Sequence, residues 1–391
     1  MDYAGTTAQG TITRLYQFVN RLHSGVPYHL SKQARAFPPW HYFFEITRRC
    51  NLRCKMCQYI DFLQNVPVPE QRDGELTTEE WLSVIDQTGP MSLVTFTGGE
   101  VWVRKDFHEI LERACSKRRV HFISNAVMLT DDKAEFCVGL APKRFGGIGL
   151  NFVGVSIDGT EELHNEIRAQ EGAYRRSIEG INNIVRWREE MEKTAPLLHI
   201  NTVVLEDNLD VLPEIPHLAA EAGVKVLNLL TEMRAPDNPN LGYADPASFG
   251  PENNRIPTID RVRLDAALQA TLKEAHALGI EVRLPRMPYE MVLDHYDGGY
   301  DLEHMACRSI WTNLYVGAKG GAYPCFINNI GNVRESSLKE LWNNSQARAF
   351  RRNRRGAAYE VCRGCCEMEY TERPLPGHGE TAPAVEPSPN A

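Results

Sequence analysis

The chain has 391 residues, enough for two to three domains or for one large α/β barrel with an appendage. Hydrophobic residues make up 42% and charged residues 24%, a globular profile that excludes a disordered, collagen-like or membrane-embedded polypeptide. With 43 Lys and Arg against 51 Asp and Glu, the net charge of −8 offers no global attraction for nucleic acid.

The N-terminus, MDYAGTTAQGTITRLYQFVNRLHSG, lacks the apolar run and small-residue cleavage site of a secretory signal, and no stretch is apolar enough to predict a membrane span. The expectation is a cytoplasmic, reducing location with no membrane partner. There the 10 cysteines read as metal or redox sites rather than disulfides.

Ile12, Leu15, Phe18, Val19 and Leu22 recur at helical spacing and predict an amphipathic helix over 12–23, within an N-terminal extension of residues 1–39. From Tyr42 short apolar runs alternate with helical segments. The runs are Tyr42 to Ile46, Leu93 to Phe96, Val120 to Ile123, Phe152 to Ile157, Leu198 to Leu205 and Val224 to Leu230. Helices are expected at Thr78 to Asp86, Asp106 to Ser116, Asp131 to Val138, Gly172 to Glu192 and Leu209 to Ala222. Alternation of this kind implies crossover connections and a parallel sheet, hence an α/β fold with a partial (β/α)6 TIM-like barrel over residues 40–232.

Residues 233–300 hold a Pro-, Asn- and Gly-rich loop from Ala235 to Pro257, a helix at Ile259 to Leu278 and a strand at Ile280 to Leu284. Residues 301–370 differ in texture, with a Gly-rich hairpin at Gly317, Gly320 and Gly321, a helix at Ser337 to Arg352 and half of the cysteines; they predict a small metal-organised domain. Residues 371–391 contain five prolines and no apolar periodicity, the composition of a disordered tail.

Cys50, Cys54 and Cys57 form a C-x3-C-x2-C run just after the first expected strand. A structural zinc site wants four ligands, and no fourth Cys or His follows in the loop, although a distant residue could complete one. A four-iron cluster held by three thiolates leaves one iron open. With this loop the sequence resembles the radical S-adenosylmethionine (radical SAM) enzymes. The resemblance implies that the open iron binds the amino and carboxylate groups of S-adenosylmethionine, which reductive cleavage turns into a 5′-deoxyadenosyl radical. Met56 would then lie near the adenine.

Further matches fall at successive strand ends, where a barrel gathers its chemistry. Thr97-Gly98-Gly99-Glu100 resembles the family's GGE motif, in which glycines admit the backbone close to the ligand and Glu100 would accept bonds from the methionyl ammonium. Ser124-Asn125 matches a Ser/Thr-Asn pair. VGVSIDGTEELHNEIR resembles the S-x-D-G segment, with Ser156 and Asp158 at the strand end and Arg168 suited to the methionyl carboxylate.

Cys307, Cys325, Cys362 and Cys365 could close a zinc site or an iron–sulfur cluster. With the S-L-x-x-L-W segment at Ser337 to Trp342 they resemble the SPASM and Twitch extensions of radical SAM enzymes, which implies one auxiliary [4Fe–4S] cluster of Twitch type. Spacing leaves open whether Cys365 or Cys366 ligates. Cys366, Cys137 and Cys115 are candidate hydrogen donors, although the two helical ones read first as packing residues. The Arg351-to-Arg355 run reads as a solvated face, or else as a site for an anionic substrate or reductant protein.

Function, so far, is oxidation or epimerisation of a small hydroxyl-bearing substrate such as a sugar or aminocyclitol, with the auxiliary cluster as electron relay and a flavodoxin or ferredoxin as donor. The alternative is a peptide-modifying maturase forming a thioether or carbon crosslink; the short stretch before the first strand argues against a leader-recognition module. A non-catalytic iron–sulfur or zinc protein is the reading from another class.

Overall fold

A computed structural model describes residues 19, 21–232, 258–299, 301–358, 362–363 and 365–374. The loop from Ala235 to Pro257, most of the tail and most of the expected 12–23 helix lie outside these residues. The described part of that helix belongs to α1, which runs over 21–30.

Seven parallel strands follow one another in the sheet: β1 (His41–Thr47), β2 (Leu93–Gly98), β3 (Arg119–Ser124), β4 (Gly149–Ser156), β5 (Leu197–Val204), β6 (Val226–Thr231) and β7 (Glu281–Arg283). The connecting helices are α2 (Ile60–Asn65), α3 (Thr78–Asp86), α4 (Phe107–Cys115), α5 (Asp131–Gly139), α6 (Glu161–Arg168), α7 (Ala173–Glu190), α8 (Ile215–Glu221), α9 (Arg261–Ala277) and α10 (Tyr289–Asp297). Alternate strand residues explain the layering. Tyr42, Phe44 and Ile46 of β1, with Val94 and Phe96 of β2, join the core beneath the helices, where Phe44 lies 5.4 Å from Trp81 of α3. The other parity, including His41, Phe43, Thr95, His121 and His199, therefore faces the inside of the barrel.

Local signals set the helix limits. Thr77 and Glu80 form a reciprocal capping box at α3, where the sequence predicts the helix start. The helix expected from Leu209 is delayed: a 3₁₀ segment at Glu206–Glu214 carries Pro213, and regular α8 begins only at Ile215, with Pro216 in its first turn. The helix expected at Ser337 to Arg352 is two helices, α11 (Leu338–Trp342) and α12 (Ser345–Arg354), because the Asn344 side chain accepts the Ala347 N–H and starts a new helix.

The cysteine-rich C-terminal region shares the barrel's sheet. Its strand β9 (Asn313–Val316) pairs parallel with β1, and β10 (Ala322–Tyr323) returns antiparallel to β9, giving a nine-stranded sheet. A separate two-stranded sheet pairs β8 (Met305–Cys307) with β11 (Met368–Tyr370) and brings Cys307 opposite Met368.

Candidate functional site

The first cysteine loop is held to the end of β2 by backbone hydrogen bonds. Gly99 N donates to Thr47 O and Glu100 N to Arg49 O, both at 2.9 Å. A Cβ on Gly98 would meet Thr47 O at 2.1 Å, and one on Gly99 would meet Arg49 O at 2.4 Å and Arg48 O at 2.5 Å. Gly98 also takes φ +137, a conformation L side chains rarely adopt. The sequence reading ties these glycines to approach of a ligand; the close approach the structure shows is of β2's end to the cysteine loop itself.

Glu100 is buried, and its oxygens already accept from the protein: Oε1 from Ser124 Oγ at 2.9 Å and Trp102 N at 3.2 Å, Oε2 from Asn125 N at 2.8 Å. Burial raises its pKa, these bonds opposing the shift. Asn125 donates in turn to Asn51 Oδ1 at 2.9 Å and approaches Cys50 Sγ at 3.9 Å. The ends of β2 and β3 are thereby stapled to the cysteine loop.

Arg168 closes the other side. Its guanidinium pairs with Asp158 and donates to Cys54 Sγ at 3.6 Å. Burial opposes the charged form, but Asp158 and Cys54 hold the guanidinium firmly protonated. Asp158 accepts from Val203 N at 3.0 Å, fixing the pair to β5. Met56 packs with Cys50, Cys57, Leu52, Cys54 and Val127. Burial pushes the Cys50 thiol up to about 12, with Glu100, Cys54 and Cys57 adding to the effect, so the three thiols lie in one another's field. Ser156 ends β4 beside Asn201 of β5.

Beneath this mouth lies a polar wall that motif reading misses. His41 Nε2 is 2.7 Å from Thr95 Oγ1, which is 3.1 Å from His121 Nδ1. The rings of His121 and His199 lie 5.1 Å apart, and Asn228 donates to Asn201 Oδ1 at 2.8 Å. A Cβ on Gly154 would lie 2.6 Å from His199 Nε2, 2.8 Å from Asn201 Nδ2 and 3.3 Å from His121 Nε2. Only a glycine lets these three nitrogens pack so closely against the strand, and the buried His121 Nε2 has no hydrogen-bond partner in the protein. Burial pushes His41 down to about 3 and His121 to about 4, so both are neutral near pH 7. Strand parity places these residues, a signal readable in sequence only once inward and outward faces are distinguished. At the barrel floor, a cavity of about 220 Å³ is bounded by His41, Phe43, Arg286, Asn313 and Glu367. Burial raises the Glu367 carboxyl.

The four C-terminal thiols converge. The Cys365 thiol is raised well above its usual range by burial and by Cys366, Cys362, Cys307 and Cys325. The Cys366 residue is exposed, and the charged groups acting on its thiol are Glu367 and Arg286. Cys365 lies in the field of the other three thiols, whereas Cys366 lies in that of Glu367 and Arg286, two residues that bound the floor cavity. Cys115 and Cys137 lie in the core between helices and sheet, away from the barrel interior.

The expected solvated arginine face is not one. Arg351 is fully buried, 4.0 Å from the Trp342 ring, and donates to Ile310 O and Trp342 O, both at 2.9 Å. Arg354 is buried and donates to Cys362 Sγ at 2.7 Å, while Arg355 donates to Ser31 O at 2.8 Å. Only Arg352 and Asn353 of the run are exposed. The helical period of α12 turns the first and fourth residues of the run, Arg351 and Arg354, inward together.

Comparison with known proteins decides the identity of this arrangement. The Radical SAM superfamily profile matches residues 44–188, and the SPASM iron–sulfur cluster-binding domain matches residues 307–366. The chain carries a radical SAM domain. It is 26% identical over 340 residues to AdoMet-dependent heme synthase of Methanosarcina barkeri, covering 83% of this chain and 88% of the relative. It is 28% identical over 347 residues to PqqA peptide cyclase of Granulibacter bethesdensis, covering 85% and 81%. The fold matches SuiB of Streptococcus suis, solved with the precursor peptide SuiA, at TM-score 0.56 and 14% identity over 82% of this chain and 68% of that one. The radical SAM domain implies a [4Fe–4S] cluster with S-adenosylmethionine, and the SPASM domain implies auxiliary iron–sulfur binding. The donor chemistry suits both groups, with three thiols in one field beside Arg168 and four in another, although among the described residues no three such side chains stand close enough to hold a single metal ion. Among the described residues, no helix is long and apolar enough to cross a membrane.

Proposed function

We propose that this chain is a peptide-modifying radical SAM enzyme, crosslinking or oxidising side chains of a ribosomally made precursor. Cys50, Cys54 and Cys57 hold the cluster that binds S-adenosylmethionine, with Met56 and the strand-end residues from Gly98 to Arg168 around it. Cys307, Cys325, Cys362 and Cys365 hold the auxiliary cluster, and Cys366 is the thiol facing the substrate space. The bound cofactor supplies a radical able to take hydrogen from an unactivated C–H bond, while the chain supplies position.

The observation that carries this reading is the character of the barrel wall. His41, Thr95, His121, His199, Asn201 and Asn228 are neutral hydrogen-bonding groups, set in one connected layer below the thiols. A peptide entering a barrel needs partners for N–H and C=O groups that leave water, and amides and neutral imidazoles supply both. The likeness to a peptide cyclase over most of both chains supports the same conclusion. The sugar-like substrate expected from the sequence draws no support from the relatives described here. A second reading, chemistry on porphyrin side chains, rests on the likeness to a heme synthase.

The test is anaerobic reconstitution with S-adenosylmethionine and a low-potential reductant such as reduced flavodoxin. Short peptides encoded beside its gene are supplied in turn, and iron coproporphyrin in parallel. The expected result is 5′-deoxyadenosine formation stimulated by one peptide, with a product lighter by two hydrogens. Stimulation by the porphyrin alone would replace the peptide reading with the second one.

A further inference from the structure

Helix α12 carries two buried arginines with different tasks. Arg351 docks the helix: its guanidinium lies 4.0 Å from the ring of Trp342 and 5.7 Å from that of Trp311, and it donates to the carbonyls of Ile310 and Trp342. One turn later Arg354, only 2% exposed, reaches the thiol group. It donates to Cys362 Sγ at 2.7 Å. One buried guanidinium thus stands in hydrogen-bonding contact with one of the four proposed ligand thiols. Ser309 Oγ, 3.2 Å from Cys307 Sγ, is a second hydrogen-bonding group at the same place.

We propose that Arg354 is a positioning residue that sets the reduction potential of the auxiliary cluster, holding it high enough to accept an electron. The proposal rests on the assignment of Cys307, Cys325, Cys362 and Cys365 as its ligands. Reduction adds one electron, and so one negative charge, to a thiolate-bound group that is already anionic. A buried cation nearby stabilises the reduced form more than the oxidised form, and hydrogen bonds to the sulfurs and net charge are among the main determinants of such potentials. Because α12 is fixed by Arg351, the guanidinium is held in place rather than recruited. An arginine delivers this charge through a rigid planar fork, which a lysine cannot reproduce.

The test uses the full chain with Cys50, Cys54 and Cys57 all replaced by Ala, so that only the auxiliary cluster remains. Iron is counted and the one-electron couple is titrated with dithionite and mediators under EPR. Arg354→Gln is expected to favour the oxidised form at least tenfold, a fall of about 59 mV or more. Arg354→Lys is expected to fall less, and Arg352→Gln, exposed on the same helix, not at all. A potential unchanged in Arg354→Gln with its iron retained overturns the proposal. If Arg354→Gln fails to hold iron, Arg354→Lys decides, and a potential equal to that of the parent overturns it. If the parent itself holds no iron, the four-thiol assignment has failed, which iron counting separates from any failure of Arg354.

Discussion

Gly99→Ala asks whether the glycine pair positions the first cysteine loop. The added Cβ would stand 2.4 Å from Arg49 O and 2.5 Å from Arg48 O, both backbone atoms that cannot rotate away. A carbon and a carbonyl oxygen separate to roughly 3.3 Å at contact, so the strand end and the loop must part by nearly 1 Å. That movement stretches the two 2.9 Å bonds, Gly99 N to Thr47 O and Glu100 N to Arg49 O. Overpacking of this kind costs about 1–3 kcal/mol, and each weakened bond about 1 kcal/mol more. The expected total, about 3–5 kcal/mol, is localised where Cys50 leaves β1. The assay is iron content after anaerobic reconstitution, together with thermal unfolding. The variant should keep its auxiliary iron, lose most iron at the first site, and unfold several degrees lower. Full iron content with unchanged unfolding would refute the reasoning, because it would show that the loop tolerates the displacement.

Cys54→Ala should abolish 5′-deoxyadenosine formation while leaving the auxiliary iron, as measured by chromatography and iron assay. Cys307→Ser should spare cofactor cleavage but block product formation, if the auxiliary cluster is the electron relay. Cys365→Ala should lose auxiliary iron and Cys366→Ala should retain it; equal loss from both would contradict the orientation of the two thiols. Removing Arg168 as Arg168→Gln leaves Asp158, which is fully buried, without its cation, and should cost about 3–5 kcal/mol in denaturant unfolding. Stability should also depend on acid. His121 is pushed down to about 4 from the ordinary 6.5, so below about pH 6.5 the unfolded chain binds a proton that the folded barrel refuses. This stabilising contribution is complete above 6.5 and is lost as pH falls toward 4, and His121→Gln should flatten that part of the profile.

What was legible in the sequence is what obeys short-range rules. The strand at Leu93 and the helix at Thr78 to Asp86 follow from apolar runs and a capping box, and the cysteine loop from spacing. Arg354 was not legible, because a run of arginines reads as solvated unless the helix bearing it is known to sit against Trp311 and Trp342. The wall of His41, His121 and His199 was hidden for a related reason. Each is an isolated histidine in an apolar run, and only strand register sets them side by side. The orientation of Cys366 required the pairing of β8 with β11, a contact between segments about sixty residues apart that no local pattern announces.

The sharing of one sheet bears on how the two thiol groups work together. A C-terminal domain tethered by a flexible link would let their separation vary. Here β9 pairs with β1 over four residues, from His41 opposite Asn313 to Phe44 opposite Val316, and Tyr315 stacks on Phe43 at 4.6 Å. Strand β1 ends three residues before Cys50, and β10 ends two residues before Cys325. Between these points lies the buried Glu45–Arg48 pair, joined at 2.8 Å, within electrostatic reach of Tyr59 beside the first loop and of Tyr323 beside Cys325. A parallel sheet does not stretch without breaking its ladder of hydrogen bonds. The distance between the two groups is therefore fixed by the fold, and the neutral wall and the floor cavity bounded by Glu367 belong to the same rigid sheet. Lengthening the Cys325 side of the β10 turn by one residue should leave both iron counts unchanged and slow product formation without affecting cofactor cleavage. Equal turnover in that variant would mean that the spacing is not used.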